Sequence, residues 1–299
     1  MKNIITRELP TYKRQRLALA LLESSGAQLS KIDFQKLLFL YVDEQQDKSY
    51  DFVPYMYGCY SFQANNDMNT MRQYGFLSNA EIYEKKSTTI NFLDFLDKNE
   101  QIKLKDFSKR FNNIRGKELI SHVYNNFPYF AINSKIADEH IDKQIIKSHK
   151  PYICEKQFFT IGYEGKSIES FINNLIKNDV RILVDVRKNA LSMKFGFSKA
   201  FLANTLEKIN IKYIHIPSLG IASEERKNLK TKEDYAALFD IYKDSTLKYA
   251  KKDLEQLLYL YDTYDRMAIM CYEKDVNMCH RGCIATKINT SYKLEIRHI

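Results

Sequence analysis

From residue 158 onward, short apolar runs alternate with amphipathic stretches long enough to be helices, and this rhythm limits the fold more than any other feature. Residues 158–162, 182–186, 212–216 and 267–272 read as strands. Residues 167–177, 198–208 and a longer region from 235 to 261 read as helices. Strands separated by helices of this length pair in parallel through right-handed crossovers rather than as hairpins. The expected fold class is α/β: a C-terminal parallel-sheet three-layer domain over residues 157–299, preceded by a mainly helical (α+β) domain. In open parallel sheets ligands collect at the carboxyl ends of the strands, so polar groups just after each run are the first candidates for chemistry.

The front of the chain has a different texture. Residues 13–25 form an apolar helical pattern that stops at Gly26, a common helix terminator. Ser30 and Asp33 give the hydroxyl-x-x-acid pattern of a capping box, with the acid shortened to aspartate, before the apolar run 34–41. Residues 50–63 are aromatic, carry Pro54 and Gly58, and read as an extended segment entering a helix at 61–70. From 132 to 155 the chain turns polar and charged and reaches Pro151, which marks a connector. The expected domains are 1–135 and 157–299 with a connector at 136–156; there is no internal repeat.

A formal charge of +9 implies an anionic partner, nucleic acid (DNA favoured) or a nucleotide. The 21 tyrosines and 18 phenylalanines include candidates for stacking on bases, beside their ordinary use in cores. Five cysteines, an odd number without disulfide-like spacing, fit reduced thiols. No apolar run approaches the roughly 18 residues of a membrane helix, and residues 1–5 lack a signal-peptide core. The expected location is cytoplasmic, with no membrane partner.

Three strand ends carry chemistry. The first supplies Gly162, Tyr163, Glu164 and Gly165, a turn that allows close backbone approach but lacks the dinucleotide fingerprint. The second supplies Asp185, Arg187 and Lys188, and the fourth Glu273, Cys279, His280 and Arg281. Glu273 and Asp185 are the expected acid/base or nucleophile pair for a glycosidic or phosphoester bond, with His280 protonating the leaving group. Arg187, Arg281, Lys188 and Lys194 are the expected phosphate contacts, and Tyr163 and Glu164 face the substrate. A structural ion pair is the other reading of Asp185 and Arg187.

A thiol mechanism at Cys279 is a second option, because a thiolate is stabilised at a helix N-terminus. A phosphatase-type loop would need arginine where Ala285 stands. Metal binding is a third, through Cys271, Cys279, His280 and Cys283, but no Cys-x-x-Cys pair exists and no metal or cofactor is expected. A basic groove that recognises DNA or a nucleotide without turnover is the alternative to an enzyme. His215 reads as structural, and Glu224, Glu225, Arg226 and Lys227 as a solvated loop or a lid.

Two resemblances extend this reading. Thr160-Ile-Gly-Tyr-Glu-Gly, Leu183-Val-Asp-Val-Arg-Lys-Asn, Gly196-Phe-Ser-Lys, the segment 211–221, Cys271-Tyr-Glu, Cys279-His-Arg and His298-Ile299 together resemble the domain-of-unknown-function family 488, in its Gly-Tyr-Glu-Gly branch. That resemblance implies a compact α/β domain and marks Asp185, Arg187, Glu273, Cys279, His280 and Arg281 as shared polar positions; it implies no reaction. Lys36-Leu-Leu-Phe, Phe52-Val-Pro-Tyr-Met-Tyr-Gly, Ser61-Phe-Gln, Asp67 and Gly75-Phe-Leu resemble the SocA-like (Panacea) antitoxin domain over residues 10–135. It implies a protein partner for the front domain and a setting in bacterial stress response or phage defence.

Overall fold

The computed structural model describes residues 9–78, 81–86, 89–226, 229 and 231–299; Met1 to Ile5 and Lys227 lie outside the described residues. The chain divides into two units, Met1–Lys150 and Pro151–Ile299.

In the first unit the helix Lys13–Ser24 buries Leu17 to Leu22 and ends as Gly26 takes φ +100°. Ser30 caps Lys31–Asp43 by accepting from the Asp33 backbone N–H, and its hydroxyl donates to Asp33 Oδ2 at 2.8 Å, in place of the reciprocal backbone bond of a capping box. The aromatic segment folds as an antiparallel ribbon, Val53–Tyr55 against Gly58–Tyr60. Gly58 turns it at φ +100°, where a Cβ would overlap Lys36 Nζ and the Tyr124 ring. Helices Phe62–Gln73, Lys98–Arg110 and Gly116–Asn126 complete the mainly helical body.

The charged groups buried here hold the fold together. Asp67 accepts from Arg14, Gln15, Tyr50 and Gln63. Lys36 donates to the Tyr57 carbonyl at 2.7 Å, and burial pulls its pKa down. Ala137 and Ile141 join the same core, and Lys143–His149 is helical. The polar segment from 136 to 149, expected as part of a connector, therefore belongs to the first unit.

The second unit contains β1 (Gln157–Gly162), α1 (Ile168–Lys177), β2 (Ile182–Asp185), α2 (Lys199–Glu207), β3 (Lys212–His215), α3 (Lys232–Tyr242), α4 (Lys251–Tyr264), β4 (Arg266–Cys271), α5 (His280–Tyr292) and β5 (Ile296–His298). The strands form one sheet in the order β3-β2-β4-β1-β5, parallel throughout. Strand side chains alternate between faces. Phe158, Ile182, Val184, Met267 and Ile269 pack in one cluster with Leu254, Leu257, Ile284 and Ile288. The intervening Phe159, Ile161, Leu183 and Met270 are equally buried. α1 starts on Ser167, whose hydroxyl accepts from Ser170 N, and buries Phe171, Ile172 and Leu175. The α/β expectation with a helical front region holds.

Two differences concern the ends of elements. The helical region from 235 is interrupted by a π-helical turn at Lys243–Leu247 before α4. β5 is a fifth strand that periodicity does not reveal, an edge of three residues beside β1. Register aligns Gly162 with Cys271, Asp185 with Met270 and His215 with Asp185, so the three strand ends meet at one rim.

Candidate functional site

The rim holds two acid–arginine pairs, their acids at or just beyond the ends of adjacent strands. At the end of β2, Arg187 folds back on Asp185 two residues earlier: Nε donates at 2.9 Å to Oδ1 and Nη2 at 2.5 Å to Oδ2. Asp185 also accepts from the Arg187 backbone N–H at 3.0 Å and from Tyr213 Oη at 2.6 Å. Arg187 also donates from Nη1 to Tyr163 Oη at 2.8 Å and from Nη2 to the Phe197 carbonyl at 2.9 Å. Asp185 is fully buried and Arg187 only 6% exposed. Burial pushes the Tyr213 hydroxyl up, and Asp185 beside it adds to the shift. The expected catalytic aspartate and phosphate-binding arginine thus satisfy each other within the fold, because a carboxylate with four donors has no lone pair directed outward.

Other expected substrate contacts are occupied in the same way. The Tyr163 ring stacks on Phe197 at 4.3 Å between centroids and is buried, so it offers no face to a base. Lys194 Nζ donates to the Tyr163 carbonyl at 3.0 Å. Glu164 is exposed and accepts from Lys274 N at 2.8 Å, tying down the loop after β4. Arg281 is buried and donates to the carbonyls of Glu273 and Lys274, while its Nε has no hydrogen-bond partner. The glycine of the first strand end serves this loop: a Cβ on Gly162 would overlap the Glu273 carbonyl oxygen. His215 Nε2 bonds the Arg187 carbonyl at 2.8 Å, in keeping with a structural role. Lys188 remains exposed.

At the end of β4 the arrangement differs. Glu273 lies two residues beyond Cys271, and the short turn Val276–Met278 returns the chain to Cys279, which caps α5, and His280, its first residue. Arg226, 47 residues from Glu273 in sequence, donates from Nη1 to Glu273 Oε1 at 2.6 Å. Its Nη2 lies 2.8 Å from His280 Nδ1, and its Nε is buried without a partner. His280 Nε2 meets the Val186 carbonyl at 3.0 Å. A carbonyl only accepts and a guanidinium only donates, so the hydrogen bonds assign the proton to Nε2 and leave the Nδ1 lone pair facing Arg226, Glu273 and Cys271. The expected role of His280 as proton donor to a leaving group conflicts with this placement, since the ring is fully buried and its N–H is committed to backbone.

Cys271 Sγ lies 3.3 Å from Glu273 Oε2 and 3.5 Å from His280 Nδ1. Ligand atoms of Cys271, Glu273, Cys279 and His280 all fall within 4.8 Å of one another. Burial pushes the Cys279 thiol up, the opposite of an activated helix-terminal thiolate. Burial also pushes the Glu273 carboxyl up, but the Arg226 guanidinium and nearby hydrogen bonds outweigh it and hold Glu273 below its ordinary 4.5. A cavity of about 140 Å³ opens against Arg226, Cys271, Lys188 and Asn189, and Tyr163 and the Arg187 of the first pair also line it. Arg226, which the sequence places in a solvated loop or a lid, joins this cluster, while Glu224 and Glu225 beside it are exposed.

With this geometry in view, residues 167–288 match the family model described as Domain of unknown function DUF488. The match covers most of the α/β unit and includes Asp185, Arg187, Arg226, Glu273, Cys279, His280 and Arg281. A curated relative, the RecBCD enzyme subunit RecC of Buchnera aphidicola subsp. Acyrthosiphon pisum, is 31% identical over 156 residues. That alignment covers 49% of this chain and 13% of RecC. No solved structure matches. Among the described residues no helix is long and apolar enough to cross a membrane.

Proposed function

We propose that the α/β unit is a hydrolase acting on phosphoester bonds of nucleic acid or nucleotides, with DNA the favoured substrate. The observation that carries this reading is the ion pair of Glu273 with Arg226, an arginine that also lines a cavity together with Lys188 and Asn189. A water occupies about 30 Å³ in the liquid, so this space suits a phosphate group with a water rather than a whole nucleotide. In this scheme Glu273 orients or deprotonates the attacking water, and Arg226 and Lys188 meet the phosphate charge. The glycosidic alternative needs a second working carboxylate, and Asp185 is engaged on all sides. A net charge of +9 suits the polyanion. The front unit, through its SocA-like resemblance, is assigned to a protein partner in bacterial stress response or phage defence.

The test is mass spectrometry of products released from unmodified and naturally modified DNA and RNA by wild-type protein and Glu273→Gln. A nucleotide or fragment seen with wild type and reduced at least a hundredfold in Glu273→Gln supports the assignment. Equal release by both variants removes Glu273 from the reaction. Salt-sensitive binding with no release from any substrate instead makes the unit a recognition module.

A further inference from the structure

The geometry points to a zinc-class metal site formed by Cys271, Glu273, Cys279 and His280. Two thiols, a carboxylate and an imidazole converge within 4.8 Å, whereas Cys283, the fourth ligand suggested by the sequence, is absent from the group and Glu273 takes its place. A tetrahedral zinc with bonds of about 2.0–2.3 Å sets its ligand atoms roughly 3.3–3.8 Å apart. The separations of Cys271 Sγ from Glu273 Oε2 and from His280 Nδ1, 3.3 and 3.5 Å, already fall in that interval. Only small side-chain shifts are needed to close the rest.

The surroundings are those a ligating histidine needs. The Nε2–H of His280 is anchored on the Val186 carbonyl, which fixes the ring and presents the Nδ1 lone pair to the cluster. The Arg226 guanidinium supplies positive charge at this position, bonding both Glu273 Oε1 and His280 Nδ1. Binding a divalent ion requires Arg226 to release Nδ1 alone, and it can keep Oε1 while Oε2 ligates. Two thiolates, one carboxylate and a divalent cation sum to one negative charge, which Arg226 neutralises; the two thiol protons leave to solvent. The cavity lined by both Arg226 and Cys271 is the route in. Soft sulfur donors beside one nitrogen and one oxygen select zinc over magnesium or calcium. The ion occupies this place whether or not the unit cleaves a phosphoester.

The experiment is anaerobic titration of the reduced full-length protein with Co²⁺, followed by displacement with Zn²⁺. One equivalent of cobalt should produce a thiolate-to-cobalt charge-transfer band and visible bands of tetrahedral intensity, and Zn²⁺ should abolish them. Cys283→Ser should retain the spectrum, Cys279→Ser should lose at least half of the charge-transfer intensity, and Glu273→Gln should weaken cobalt binding at least tenfold. A wild-type protein that is folded by circular dichroism yet shows no thiolate-to-cobalt band overturns the assignment without any variant. A band that survives in Cys279→Ser but disappears in Cys283→Ser overturns it equally.

Discussion

The two acid–arginine pairs on neighbouring strands resemble each other in composition and differ in what they leave open. Asp185 and Arg187 are two residues apart, bury each other, and spend their remaining hydrogen bonds on Tyr213, Tyr163 and the Phe197 carbonyl. Glu273 is joined by an arginine from a distant loop that is 28% exposed in its side chain and retains an unpartnered Nε. The first pair meets within two residues and has its carboxylate closed by Tyr213 and the Arg187 backbone; the second is joined across 47 residues and keeps soft donor atoms directed at a shared space. Ion pairs at strand termini therefore need to be judged by which donors and lone pairs remain, not by residue type.

The closed pair should show the largest effect when broken. Asp185→Ala leaves a buried guanidinium uncompensated and is expected to destabilise the α/β unit by about 3–5 kcal/mol, read as a lower denaturant midpoint of that unit. Replacing Asp185 and Arg187 together with apolar residues of similar volume should recover most of the loss. If Asp185→Ala alone unfolds no more easily than wild type, the pair is not the closed structural element described above.

Gly162→Ala tests the contact that positions the open pair. Its Cβ would overlap the Glu273 carbonyl, which Arg281 also holds, so the loop after β4 must shift. A cost of about 2–3 kcal/mol is expected, within the range for overpacking a tight site. The cobalt spectrum should weaken with it, because Glu273 and Cys279 move on the same loop. A variant with wild-type stability and an intact spectrum would place the glycine requirement elsewhere.

Much of this was readable in advance, and the failures share a cause. Cys271, Glu273, Cys279 and His280 lie in one strand–loop–helix segment, so local pattern brings them together at a parallel strand end. Asp185 and Arg187 were visible as a pair, but their closure depends on Tyr213 from β3 and a carbonyl at Phe197, which no local spacing encodes. Arg226 stands in a run of charges indistinguishable from a solvated loop, and only the path of the chain after β3 carries it to Glu273. Gly220 belongs to that path, since a Cβ there would overlap the Lys188 backbone. The edge strand β5 escaped because three residues containing Arg297 and His298 carry no apolar alternation. No charge pattern marks the missed contact, because Arg226 stands beside Glu224 and Glu225 and lies 47 residues from Glu273.

Arg226→Ala should cost less stability than breaking the first pair and matter more to the site. Because the Arg226 side chain is partly exposed while Glu273 is mostly buried, a cost smaller than that of breaking the first pair, about 1–3 kcal/mol, is expected. Product release should nevertheless fall at least tenfold, with Arg226→Lys intermediate, since lysine restores charge without the fork that spans Glu273 and His280. Equal activity of wild type and Arg226→Ala would reduce the open pair to another structural bridge.

The smallest effect is the most specific, because it separates the two opposing influences on Glu273. Burial alone would raise this carboxyl, and Arg226 brings it below 4.5. A folded-state value below the unfolded one contributes stability that is complete above the unfolded value and is lost as pH falls through the folded value. The acid limb of wild-type product release should therefore lie at lower pH than an unperturbed, buried Glu273 would give. In Arg226→Ala burial acts without that attraction, so the acid limb of the residual activity should move to higher pH than in wild type, while Glu273→Gln should have no such limb. The same ordering should appear in the pH dependence of unfolding, with the variant losing the Glu273 contribution at higher pH than wild type. An acid limb that stays in place when Arg226 is removed would mean that the carboxylate owes its ionisation to the hydrogen bonds from Cys271 and Cys279, and the thiol cluster rather than the arginine would then set the chemistry of the open pair.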